Sequence, residues 1–182
     1  LHVRCTSPEM VSYKQVAPPL FFEGKEMLLT LTPDYTIERV DALHEVRLHL
    51  EDCVVVAGKG LYFPDATIHL LPSSPDDLCY ITHSNGDSLT TQEMTFDQQT
   101  SILTLHDPKG TISFQGPSGE SHQASLSAHI AHWHHLDNHL ELEQDIVIDH
   151  PYFGQVTCDH TMQLFLDDSR ALWQEIKAIG KT

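Results

Sequence analysis

Positive charge is scarce in this sequence. Ten Lys and Arg stand against 26 Asp and Glu, a formal charge of −16 over 182 residues. Such a surface repels nucleic acid and anionic membranes, which excludes a function built on a basic patch. No stretch of eighteen apolar residues is present, so no transmembrane helix is expected. A secretory signal is also missing, and the sequence opens on Leu1 rather than Met; the expectation is a processed product, already stripped of an export signal or an anchor. Arg4 before Cys5 does not suit a lipoprotein cleavage site, where a small residue is expected. The four cysteines, Cys5, Cys53, Cys79 and Cys158, contain no CxxC pair, which argues against a closed zinc site. They allow two disulfides in three connectivities, and Cys158, in phase with Val156 and Met162, reads as a plain buried thiol. No GxSxG elbow occurs, Gly116-Pro117-Ser118-Gly119 reads as a loop tip, and no spacing singles out a catalytic pair of carboxylates. Helix signals are few. Ser169–Ile179 could be capped by Ser169 and Gly180, but the repeat described below makes it a strand carrying Leu172 and Ile176.

What the sequence does have is alternation. In Leu126–His150, Leu126, Ala128 and Ile130 alternate with Ser127, His129 and Ala131, and Trp133 closes the run. Leu136-Asp137-Asn138 supplies a turn, after which Leu140, Leu142, Ile146 and Ile148 alternate with Glu141, Glu143, Asp145 and Val147. A period of two marks a half-buried strand, so this is a hairpin with one apolar face and one acidic, imidazole-rich face.

The same unit recurs: an aromatic near a strand end, an aspartate turn, a second alternating strand. Tyr62 leads to Asp65 and then Ile68 and Leu70; Phe96 to Asp97 and then Leu103 and Leu105; Phe165 to Asp167 and then Leu172 and Ile176. The turn aspartates Asp65, Asp97, Asp137 and Asp167 are 32, 40 and 30 residues apart. Repetition at that period suggests stacked supersecondary units, and an ordinary antiparallel meander is the other reading. The aromatics Tyr62, Phe96, Trp133 and Phe165 read as plugs at the hairpin ends that close the core; sugar stacking is their sharper alternative.

Other stripes follow the same rule. Val46, Leu48 and Leu50 share a phase, and so do Ile112 and Phe114. Phe21–Leu31 reads as a strand and Cys53–Val56 as a short buried one. Pro72–Asp77, Asn85-Gly86, Gly116–His122 and Pro151–Gly154 are loops or turns. Pro8, Pro18 and Pro19 make the first twenty residues an irregular segment, leaving 21–182 as one domain. The fold class is all-β, with roughly 12 to 16 short antiparallel strands.

The repeated unit resembles the OstA-like domain of the lipopolysaccharide-transport proteins, the LptA–LptC family. The likeness rests on Ala128 to Trp133, Asp137, Leu140-Glu141-Leu142 and Ile146-Val147-Ile148, and again on Met94-Thr95-Phe96-Asp97, Leu103-Thr104-Leu105 and Gly110-Thr111-Ile112. It spans about Ala42 to Lys181. The sequence departs from the family where Gln144-Asp145 stands for the usual Gly-Asp, and in its many acidic residues and histidines. The resemblance implies an antiparallel β-jelly roll, an open, twisted two-sheet sandwich. It implies a periplasmic protein, or one anchored to a membrane in its full length, with neither catalysis nor a cofactor. Lipid A acyl chains of lipopolysaccharide would lie in an apolar groove lined by Val46, Leu48, Leu50, Ile68, Leu70, Leu103, Leu105, Ile112, Phe114, Leu140, Leu142, Ile146 and Ile148. Edge strands would join other jelly-roll transport components or further copies of the chain, and nucleic acid would not be a partner.

Two other functions compete. One is a structural or adhesive β-sandwich of the envelope that binds protein or glycan. The other is metal binding through histidine, of which the chain has 14. His129, His132, His134, His135 and His139 fall within eleven residues, and His132 with His134 would share a strand face as a two-ligand site. No metal is expected if these imidazoles are simply a solvated face.

Overall fold

From Thr67 onward alternation runs for 4 to 7 residues before a bend or turn interrupts it, and that rhythm builds the fold. The computed structural model describes residues 2–15, 20–115, 120–134, 136–152, 154–166 and 173–179. Every regular element among them is a β-strand, seventeen in all, joined in one nearly closed sheet. Four long strands come first: β1 (His2–Gln15), β2 (Leu20–Leu31), β3 (Ile37–His49) and β4 (Cys53–Tyr62). Their register shifts in the middle, between Thr6 and Val11, Glu23 and Glu26, and Leu43 and Val46. Bulges of this kind bend a strand. His44 and Glu45 take φ of 63° and 54° at the β3 bend, and Glu45 pairs there with Lys25 of β2.

The bend divides the sheet into two leaves. β4 pairs through Lys59–Tyr62 with β5 (Thr67–Leu71) and through Cys53–Val56 with β6 (Cys79–His83). Beyond β4 the chain alternates between leaves. One leaf continues through β5, β8 (Glu93–Asp97), β9 (Ile102–His106), β12 (Ile130–His134), β13 (His139–Glu143), β16 (Thr161–Leu166) and β17 (Trp173–Ile179). The other continues through β6, β7 (Ser88–Thr91), β10 (Lys109–Gln115), β11 (Ser121–Ser127), β14 (Ile146–His150) and β15 (Gly154–Cys158). The short segments crossing between leaves are stitched to one another by backbone bonds: Gln92 N–H to His106 O (3.2 Å), Asp107 N–H to His129 O (2.7 Å), His129 N–H to Gln144 O (3.0 Å) and Gln144 N–H to His160 O (2.8 Å). Pairing therefore runs through the corner. The molecule is an antiparallel meander of long strands folded in half along that corner.

This resolves the two readings of the repeat. The pairing order is a meander, yet every second hairpin falls in the same leaf, so like turns recur every four strands. Three of the repeated turns lie at one end of the leaf, the first two bonded to each other and the third to the end of β16. Gln98 N–H donates to Ala66 O at 3.0 Å, and Leu166 N–H to Asn138 O at 2.9 Å. Asp65 and Asp97 act as the turn residues expected of them: Asp65 accepts from the Thr67 hydroxyl and then its N–H (3.1 Å), Asp97 from the Gln99 N–H (2.8 Å), and these bonds hold both carboxyls below the usual range. Asp167, Ser169–Leu172 and Gly116–Gly119 lie outside the described residues.

The structure departs from expectation in three places. His2–Gln15, read as irregular, is a strand on the β2 edge; Pro8 is tolerated because it falls within the bulge of an edge strand. The strand count passes sixteen because β1 adds to it and the bends cut long strands in two. The alternation Leu126, Ala128, Ile130 does not continue inward: the bend at Ala128-His129 shifts the phase, so Ala131 and Trp133 face the core while Ile130 is only half-buried. By contrast Gln144 and Asp145, both at positive φ (60° and 49°), keep the phase of Leu140 and Leu142 into Ile146 and Ile148. A left-handed backbone is what glycine accepts most easily, so two non-glycine residues in succession strain that bend.

Candidate functional site

The space between the leaves is filled by one apolar cluster that extends from Phe22 and Met27 of β2 to Met162 and Leu164 of β16. Twelve of the predicted groove residues, Val46, Leu48, Ile68, Leu70, Leu103, Leu105, Ile112, Phe114, Leu140, Leu142, Ile146 and Ile148, are exposed by 5% or less. Leu50 is half-buried, one residue past the end of β3. It borders an open cleft of about 470 Å³ between its own turn and Thr82–Ser84, with Cys53 and His83 on the wall. Register puts the inner residues in rows across the leaf: Leu103, Trp133, Leu140 and Leu164 in one, Leu105, Ala131, Leu142 and Met162 in the next. Glu141, His132 and Thr104 lie in line on the opposite face.

Opposite the corner the leaves meet through side chains, with one exception among the described residues. β7 pairs with β10 only from Lys109 to Thr111 and ends at Ser88, which leaves the β10 edge free at Ser113 and Phe114. Trp173, the first residue of β17, takes that edge and pairs in parallel with Phe114. Its indole, 1% exposed, crosses from one leaf to the other and donates through Nε1 to Asp87 Oδ2 at 2.8 Å. The other Asp87 oxygen accepts the Ser113 N–H at 2.7 Å, and Asn85 Nδ2 adds a bond at 2.9 Å. The carboxylate thus replaces the missing ladder partner of β10 and ties β17 across the opening. Trp133 meets Trp173 edge to face at 6.3 Å and His83 at 5.5 Å. Ile81, Leu89, Ile112 and Leu140 pack around them and leave no room for a water molecule.

Sequence reasoning missed this seam. The strand reading of the C-terminal segment holds for Trp173–Ile179, but its inward residue there is Trp173, while Ile176 is 39% exposed. Two tryptophans in a chain of this size were the available signal. Tyr62, Phe96 and Trp133 close the core as expected; Phe165 instead stacks on the outer face against His139, with Lys177 over its ring at 4.4 Å.

The cysteines are all free thiols. Burial pushes Cys53 and Cys79 up to about 12, with Asp52 adding to the first and Asp77 and Glu93 to the second. Cys158 is half-buried rather than buried and lies 3.6 Å from Thr161 O. Under the β14–β15 turn, His150 is buried against Phe114 and accepts the Tyr152 N–H at its Nδ1 (3.1 Å); burial and then the neighbouring His122 hold it below the usual imidazole range.

The outer face of the first leaf carries the histidines. His132 and His134 do share a face, but their ring contacts differ. His132 Nδ1 lies 3.1 Å from Thr104 Oγ1, and its Nε2 is 3.7 Å from Glu143. His134 turns instead to His139, the last pair of the β12–β13 ladder, with rings stacked at 3.9 Å and 15°. Burial, then His139, lowers the pKa of His134. His135 lies outside the described residues. No protein-family model matches the chain, and no curated protein is significantly similar to it.

Proposed function

We propose that the protein is a non-catalytic lipid-binding module for lipopolysaccharide transport across the periplasm, an OstA-like jelly roll that takes acyl chains between its two leaves. The observation that carries this reading is the interior itself. It is one continuous apolar space, joined by backbone at the corner and held at the opposite side mainly by side chains. A sheet folded this way can part along its free side at the cost of one backbone pairing among the described residues, Phe114 with Trp173. Each CH₂ moved from water into such a space contributes about 0.8 kcal/mol, so a few acyl chains suffice for affinity without charge pairing. The charge of −16 leaves the interior, not phosphate capture, as the binding element. Entry requires the Trp173–Asp87 tie to release, and Leu50 at the open cleft marks one rim of the path. The edges of β1, β15 and β17 would join partner jelly rolls or further copies by strand addition.

Photo-crosslinking tests this. A crosslinking residue at Leu142 or Leu105, both inside, is expected to capture lipopolysaccharide, and one at Glu141 or Thr104, on the outer face, is not. Equal labelling from both faces, or none from either with the fold intact, would leave an envelope β-sandwich without lipid as the better reading.

A further inference from the structure

We propose that His134, Asp137 and His139 form a binding site for a divalent transition metal at the tip of the β12–β13 hairpin. One ligand atom from each residue lies within 4.8 Å of the other two. The set comes from two strands and the turn between them. His134 and His139 are cross-strand partners, and the Asp137 N–H bonds back to His134 O at 3.2 Å, which holds the turn over the ring pair. Asn138, at φ 55°, closes the turn, and its carbonyl is fixed to β16 by the Leu166 N–H. Phe165 stacks on the far side of His139 at 5.6 Å and limits its rotation. The ligands thus stand on a braced hairpin rather than a loose loop.

The donor set decides the class of ion. Two imidazole nitrogens and one carboxylate oxygen suit zinc, copper or nickel, whereas magnesium and calcium prefer an all-oxygen shell. Tetrahedral zinc, with bonds of about 2.0–2.1 Å, holds its ligand atoms about 3.4 Å apart. Ligation requires the two stacked rings, 15° apart, to splay so that their in-plane lone pairs converge on the ion, with the exposed Asp137 closing in from the turn. Three protein ligands leave a fourth position toward solvent. This site lies on the outer face, so it is independent of the lipid reading.

Calorimetric titration of the chelator-treated chain with zinc chloride at pH 7.5 tests the assignment, with circular dichroism as the check on fold. One high-affinity site per chain is expected. Losing a residue that only supports a metal ligand costs about 10- to 100-fold in affinity, so losing a ligand lies at or beyond about 100-fold. His134→Ala and His139→Phe should each weaken binding by about that factor; the second keeps a ring against Phe165 and so preserves the hairpin. His132→Ala should leave affinity unchanged. No zinc binding by the parent chain, binding that survives both His134→Ala and His139→Phe, or an equal loss in His132→Ala would overturn the proposal.

Discussion

Replacing Asp87 with alanine should cost about 3 kcal/mol of stability. The carboxylate is 3% exposed and accepts from the Ser113 N–H, the Trp173 indole N–H and the Asn85 amide. Asn85 sits in the β6–β7 turn, where water can replace its partner. The other two donors lie inside and would be left without an acceptor, at about 1–3 kcal/mol each. The two losses sum to about 2–6 kcal/mol, and removing a charge from the interior returns part of its desolvation cost, which brings the total to about 3 kcal/mol. Asp87→Asn keeps the shape and one acceptor oxygen but turns an amide toward the second donor, so it should lose less, about 1–2 kcal/mol. Urea denaturation measures both, read as a shift of midpoint at constant slope. Tryptophan emission supplies a second readout: Trp133 and Trp173 are the only two in the sequence, and both should shift to the red if water enters the seam. A loss below about 1 kcal/mol for Asp87→Ala, with emission unchanged, would refute the seam as a structural tie.

Three further outcomes follow from the bends and the buried polar groups. Gln144→Gly relieves a left-handed backbone at an exposed bend; a gain of about 1–2 kcal/mol, less about 0.5–1 for the flexibility of glycine, should raise the melting temperature slightly. Gly110→Ala should cost about 3 kcal/mol or abolish folding, measured by denaturant unfolding, because its Cβ would meet the Ser88 carbonyl oxygen at 2.0 Å and backbone does not yield. For His150 the folded pKa lies below the unfolded value near 6.5, so the unfolded chain binds the proton more readily between the two. Its contribution is fully present above about pH 6.5 and is lost as pH falls through the folded value; His150→Phe should flatten melting temperature against pH over that window.

Period-two patterning was enough to fix the class of fold and the inward face of most strands. It placed Val46, Leu48, Ile68, Leu70, Leu103, Leu105, Ile112, Phe114, Leu140, Leu142, Ile146 and Ile148 on one face, and all are buried. The aspartate turns were legible too, because Asx chemistry is local and acts within two or three residues. What alternation does not carry is a phase change at a bend. At Ala128-His129 one backbone irregularity reverses which neighbour points inward, and nothing in Ile130 or Ala131 announces it. The irregular reading of the first twenty residues failed for the same kind of reason. Prolines argue against a central strand, whereas β1 is an edge strand whose bulge accommodates Pro8.

The two candidate sites differ in how far apart in sequence their contacts lie. His134 and His139 are close neighbours on one hairpin, so their meeting was within reach of a sequence argument, which looked along one strand to His132 and His134 and overlooked the cross-strand partner. Asp87 and Trp173 are 86 residues apart, and only the fold brings them together. The sequence determined which residues seek the interior, since that preference belongs to each side chain and its period. The tertiary structure decided that the sheet folds in half, that β7 stops short of Ser113, and that an indole from the last strand spans the opening to a buried carboxylate. Those features arise from backbone hydrogen bonds left over by one pairing and satisfied by another, and no local pattern encodes them.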